Sequence, residues 1–249
     1  MVGAAWCRCV SRFPSGAALW ECARTPGRMM WLHDTVMLDM PRRLKTVKAG
    51  QIYLSGHSAG GMMVHTMLCQ SRVVPGLVAA AVDILGGIGS EYSRSAPCRS
   101  SKAVPFLKIQ GVKDPFIAYN RDILVDGVKF ISAVSAAKLR AGRNGCSQPR
   151  TRAPGQPGRR PGAVHRLLRR PAGAKASRLC GITTAAHDVD HPWPGWVYQE
   201  AWRFFSGAAA KAGSSKARLA VAVAAAAAGG AAAGAFLTMI LLDFMDSYS

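Results

Sequence analysis

Acidic residues are scarce in this chain: 13 Asp and Glu stand against 32 Lys and Arg, giving a formal net charge of +19 over 249 residues. From Lys129 to Arg178 there is no acidic residue at all, while arginines from Arg150 to Arg178 sit among Pro149, Pro154, Pro157, Pro161 and Pro171. Such a composition does not build a core, so 147–178 reads as a disordered or loosely attached basic insertion. Charge alone would point to nucleic acid or acidic membranes. Two further absences weigh against a specific nucleic-acid module: no aromatics are interleaved for base stacking, and no Cys/His spacing fits a zinc finger. No secretory leader is visible either, since Met1 to Trp20 has no uninterrupted apolar core and carries Arg8 and Arg12. Residues 1–31 offer no strand array and no His-Gly motif. Their cysteines Cys7, Cys9 and Cys22 match no metal-binding spacing.

What is present begins at Gln51. Residues 51–63 read Q-I-Y-L-S-G-H-S-A-G-G-M-M, a β-branched and aromatic run entering Gly56-His57-Ser58-Ala59-Gly60. This is the pattern of a nucleophile elbow, in which a serine occupies a sharp turn between strand and helix and its flanking positions leave no room for side chains. Ser58 is the candidate nucleophile. The amide of Ala59, at the start of the helix after the turn, is placed for an oxyanion. Met62 to Cys69 continues as an apolar helix, and Met62, Met63 and Met67 read as packing behind the elbow.

A serine nucleophile needs a base, and the base needs an orienting acid. Pro105 to Gly111 reads as a strand opening into the turn Val112-Lys113-Asp114-Pro115, which makes Asp114 the leading acid, with Asp122 and Asp126 as rivals in the same loop. For the base, His191 stands in Asp190-His191-Pro192-Trp193-Pro194-Gly195, a loop stiffened by two prolines after a strand near Cys180 to Thr184. His187, His165 and His57 are weaker candidates. The run His187-Asp188-Val189-Asp190-His191 is not read as a metal site, because strand geometry puts the histidines on one face and the aspartates on the other.

These segments resemble a known family. I-Y-L-S-G-H-S-A-G-G-M-M, V-P-F-L-K-I-Q-G-V-K-D-P-F-I-A-Y and H-P-W-P-G are similar, in order, to motifs of the polyhydroxybutyrate depolymerases and feruloyl esterases. Asn144-Gly145-Cys146 and Trp202-Arg203-Phe204-Phe205 are similar to further family segments. The resemblance implies an α/β-hydrolase fold, a mostly parallel sheet flanked by helices. It also implies hydrolysis of carboxylic esters through an acyl-enzyme by Ser58, Asp114 and His191, without cofactor or metal. Feruloylated polysaccharide or polyhydroxyalkanoate would be the substrate, and Trp193, Trp196 and Tyr119 could supply aromatic contacts. Secretion is usual in the family, where bridges occur near the positions of Cys98 and of Cys146 with Cys180; a Cys146–Cys180 disulfide is the preferred pairing.

The resemblance extends from about Asp34 to Phe205. Asp34 to Lys45 suits a helix with Val36, Leu38, Met40 and Leu44 on one apolar face. The residues before the elbow are too few for the strands expected there and for the loop donating the second oxyanion amide, so the scaffold is expected to be N-terminally incomplete. The organisation expected is an irregular segment at 1–31, a hydrolase-like domain at 32–207, a linker at 208–218, a spanning helix at 219–242 and a tail at 243–249. Leu219 to Leu242 is uncharged and long enough to cross a bilayer as an alanine-rich helix, which would make the protein membrane-associated. Lys211, Lys216 and Arg218 before it favour a cytoplasmic domain, whereas the resemblance favours the outside. The alternatives to an active esterase are an inactive membrane-attached paralogue or truncated fragment, and a basic surface-binding module.

Overall fold

Strand β1 (Ile52–His57) is buried along both faces, and the alternation of its side chains defines the two layers of the molecule. The computed structural model describes residues 34, 35, 37–39, 42, 52–90, 98, 102–125, 127–152, 163–169, 177–182, 196–211, 221–226 and 236–241. Ile52 and Leu54 point to one side, where Val64, Met67 and Leu68 of helix α1 (Ala59–Gln70) meet them. Tyr53 points to the other, its ring 4.9 Å from that of Phe205 in helix α4 (Trp196–Lys211). A short helix α2 (Val74–Leu77) turns the chain into β2 (Val78–Ile84), which repeats the alternation. Ala80, Val82 and Ile84 share the α4 side, and Ala81 the α1 side. Each large apolar side chain so buried contributes about 1.5–3 kcal/mol.

After β2 come β3 (Ile88–Gly89), β4 (Phe106–Gly111), β5 (Ile123–Val125), β6 (Val128–Ile131) and helix α3 (Ala133–Arg143). Ser132 caps α3, its hydroxyl accepting from the Ser135 amide at 3.1 Å, while Arg140 and Arg143 occupy the last turn where the helix dipole favours cations. Asn144 then ties the helix end to the sheet: its amide donates to the Val104 carbonyl at 2.7 Å and to the Ser177 hydroxyl at 2.8 Å. Strands β7 (Ser147–Arg152), β8 (Ala163–Arg169), β9 (Ser177–Ile182), β10 (Val221–Ala226) and β11 (Phe236–Leu241) complete the chain order.

The main sheet runs β11-β10-β1-β2-β4-β9-β8-β7, and a small sheet runs β3-β6-β5. From β10 to β9 all pairings are parallel; β11 and the β8–β7 ribbon join antiparallel. This is an α/β fold, with α1 and α3 on one face of a mostly parallel sheet and α4 on the other.

Four expectations change. The basic insertion contains strands at 147–152 and 163–169, which pair antiparallel with each other and add beside β9, so backbone pairing at the sheet end holds them despite the charge. The stretch at 219–242 is not one helix but contains the strands β10 and β11. Gly229, Gly230 and Gly234 lie between them, each costing a continuous helix about 1 kcal/mol, and the free side of β1 offers Val221 to Ala226 a parallel partner. Among the described residues, no helix is long and apolar enough to cross a membrane. The Cys146–Cys180 bridge is not formed, and both remain thiols. Cys180 faces the α4 side of the sheet, whereas Cys146 comes just after α3, which packs on the opposite side. The disulfide among the described residues joins Cys69 to Cys98. Finally, residues 34–39 are helical where described, but Met37 enters the core and Leu38 is exposed, so the buried face runs through a neighbouring position.

Candidate active site

Ser58 has φ 52° and ψ −116°, a left-handed conformation costing a non-glycine residue about 1–3 kcal/mol. Local sequence makes it possible. A Cβ on Gly56 would fall 2.1 Å from the Gly60 carbonyl oxygen, so only glycine lets the end of β1 and the start of α1 touch. The turn is fixed on both sides: the Ser58 amide donates to the Ile84 carbonyl at 2.8 Å, and the Ser58 carbonyl accepts from the Met62 amide at 3.1 Å. Helix α1 opens at Ala59, so the amides of Ala59, Gly60 and Gly61 precede the first bond of its ladder.

Asp114 comes after β4, two strands across from β1 with β2 between, or about 10 Å at ordinary strand spacing. Its carboxylate is buried and accepts from its own turn and from Gln110. The amides of Phe116 and Ile117 each donate to Oδ1 at 2.8 Å, and Gln110 Nε2 donates to Oδ2 at 2.5 Å. Gln110 Nε2 also donates to the Ile117 carbonyl at 3.0 Å, closing the turn on itself. Of the rival acids, Asp122 accepts from the Ser132 amide at 3.0 Å and serves the loop before α3, while Asp126 lies outside the described residues.

The sheet brings Ser58 and Asp114 to one edge, where parallel strands β1 and β4 end. Strand β9 ends there as well, Ile182 paired with Gly111. His191 belongs to the connection between β9 and α4; it lies outside the described residues, as do His187 and Trp193. Trp196 begins α4, but its side chain is not among those described. Tyr119 is not a surface aromatic: it is buried with Ala133, Ala137 and Leu179, and a Cβ on Gly181 would lie 2.8 Å from its ring. The exposed aromatic in that loop is Phe116, two residues from Asp114. Among the described residues, no group of three or more His, Cys, Asp or Glu could hold a metal ion.

Sequence reasoning overlooked a buried polar cluster directly behind the elbow. Asp83 near the end of β2, Lys108 in β4, His65 in α1 and Arg140 in α3 are all at most 5% exposed. Asp83 Oδ2 accepts from Lys108 Nζ at 2.7 Å and from His65 Nε2 at 2.8 Å. Arg140 Nε donates to His65 Nδ1 at 3.2 Å and its Nη2 to the His65 carbonyl at 2.6 Å. Because Arg140 can only donate, His65 Nδ1 accepts and the ring proton sits on Nε2. Burial pushes His65 down to about 4; Asp83 opposes the shift, while Arg140 and Lys108 add to it. Burial alone would raise Asp83, but Lys108 and then His65 overcome it and hold the carboxyl well below the usual range. The available signal was charge in a strand buried on both faces, which demands a partner.

No family model and no curated protein matches the chain. Among solved structures, a single-residue variant of SOBER1 from Arabidopsis thaliana is similar with a TM-score of 0.44 at 9% identity, covering 73% of this chain and 64% of that one. The chain thus spans less than two thirds of that protein's length.

Proposed function

We propose that the protein is a serine hydrolase of carboxylic esters. The observation that carries this reading is the strained left-handed Ser58 between β1 and α1. At a serine between a parallel strand and the helix that follows it, such strain fits a nucleophile, whose hydroxyl gains presentation above the sheet edge. The fixing of Asp114 at the same edge by the Phe116 and Ile117 amides and by Gln110 supports its role as the acid that orients a base. The base assigned is His191, from its place in the restrained loop after β9.

In the reaction proposed, Ser58 Oγ attacks the ester carbonyl as its proton passes to His191. The Ala59 amide stabilises the oxyanion, and collapse expels the alcohol, which takes the proton back from His191. Water then enters by the same route, His191 removing its proton, and the carboxylic acid leaves as Ser58 is restored. No cofactor takes part. Resemblance to polyhydroxybutyrate depolymerases and feruloyl esterases supports a feruloyl ester or a polyhydroxyalkanoate as substrate, with Trp193, Trp196 and exposed Phe116 as the aromatic surfaces to test.

Purified protein is expected to give a burst with p-nitrophenyl acetate and to be labelled by a fluorophosphonate probe at Ser58, both abolished in Ser58→Ala. A folded protein that gives neither burst nor label is not this enzyme, and the inactive-paralogue reading replaces it.

A further inference from the structure

We infer that the buried Asp83–Lys108–His65–Arg140 cluster is a positioning device for the nucleophile turn; the inference rests on the reading of Ser58 as the nucleophile. Asp83 pairs in register with Gly56, two residues before Ser58. Its carboxylate also lies against the first turn of α1, since a Cβ on Gly61 would fall 2.1 Å from Asp83 Oδ1 and 2.8 Å from the Gly86 Cα. Elbow helix and β2 exit turn are therefore in backbone contact around this one carboxylate.

The exit turn is itself strained. Leu85 has φ 56° and, with Ser58, is one of two non-glycine residues of positive φ among those described. Two groups of the cluster hold the next residue, Gly86: Asp83 Oδ1 accepts from its amide at 2.7 Å, and Lys108 Nζ donates to its carbonyl at 2.5 Å. Immediately before Leu85, the Ile84 carbonyl receives the Ser58 amide. The two strained residues thus flank one hydrogen bond, and the cluster clamps the side of it that does not react. On the helix side, Arg140 grips the His65 carbonyl, and the ring of His65 reaches Asp83, so α1 is fixed in azimuth relative to the same carboxylate. A buried pair of charges is weak evidence for stability, because apolar packing would do as well. What apolar side chains could not do is bond both the amide and the carbonyl of Gly86.

The test is Asp83→Asn/Lys108→Met in the full chain, which removes both charges together and strips the Gly86 carbonyl of its donor. Two readings are taken on folded protein. Amide exchange, resolved by residue with NMR, is expected to rise at least about tenfold at Ser58 while β9 stays within about twofold. The kcat for p-nitrophenyl acetate is expected to fall about tenfold or more with KM within about twofold, because the loss is in placement and not in binding. A folded variant in which either reading is unchanged overturns the inference. If the double variant does not fold, His65→Gln is judged by the same two readings. If the wild-type chain proves unlabelled by fluorophosphonate, the hydrolase reading fails by itself and Ser58 exchange alone decides the positioning role.

Discussion

Mild acid is expected to destabilise the protein through His65. The imidazole is 1% exposed, donates from Nε2 to Asp83 and accepts at Nδ1 from Arg140. A second proton would have to go on Nδ1, facing a guanidinium in a dry interior. Every neighbouring element contributes to this environment: Asp83 from β2 favours the charged ring, while burial, Arg140 from α3 and Lys108 from β4 oppose it and prevail, holding the group down to about 4. Unfolded, the same histidine titrates near about 6.5. Between these values the unfolded chain carries a proton that the folded chain refuses, so stability falls as pH falls through that window. From pH 7 to pH 5 the loss amounts to roughly 2 kcal/mol, about 1 M in urea midpoint for a slope near 2 kcal/mol/M. Asp83 adds nothing there: its contribution is present above the ordinary carboxylate range and is lost only on further acidification. Urea unfolding at pH 7, 6 and 5, for the wild type and for His65→Gln, separates this effect from the remaining histidines. The reasoning is refuted if both proteins lose the same stability, or if the wild type loses none.

The same geometry sets other outcomes. Gly56→Ala drives a methyl into the Gly60 carbonyl and is expected to cost about 3 kcal/mol or more in thermal or urea unfolding; a near-neutral result would show that the elbow can open. Ser58→Gly relieves the left-handed strain and is expected to raise stability by about 1 kcal/mol while abolishing probe labelling. Asp114→Asn keeps an acceptor for the Phe116 and Ile117 amides but turns a donor toward Gln110, so kcat is expected to fall roughly three to four orders of magnitude for a stability loss of about 1–2 kcal/mol. Reducing Cys69–Cys98, which closes a separation of 29 residues, is expected to lower stability by about 3.5 kcal/mol, read as a drop in Tm with dithiothreitol.

The elbow was legible because its constraint is local: two glycines, a serine and an apolar run lie within thirteen residues, and their spacing encodes a single turn. Asp114 was legible for a related reason, as a carboxylate just after a strand. The cluster behind Ser58 was not, because its partners are separated by 18, 25 and 75 residues and meet only through the order in which strands join. Gln110 and Lys108 stood in plain view inside an apolar strand, but without the sheet nothing said what they would face. Length and lack of charge at 219–242 suggested one continuous helix, whereas the open edge of β1 takes Val221 to Ala226 as a parallel strand. Cys146 and Cys180 are close in topology yet fall on opposite layers, a distinction that sequence spacing does not carry.

The unequal ends of the sheet have a consequence for solution behaviour. Among the described strands, β7 closes one end with Pro149, Arg150 and Arg152, a proline that removes a donor and charges that repel a second copy. The other end is β11, Phe-Leu-Thr-Met-Ile-Leu, with neither device. Among the described strands, β11 is therefore the end whose sequence carries no guard against a further strand. Gatekeeping charges placed there would improve handling of the protein without touching the edge that carries Ser58.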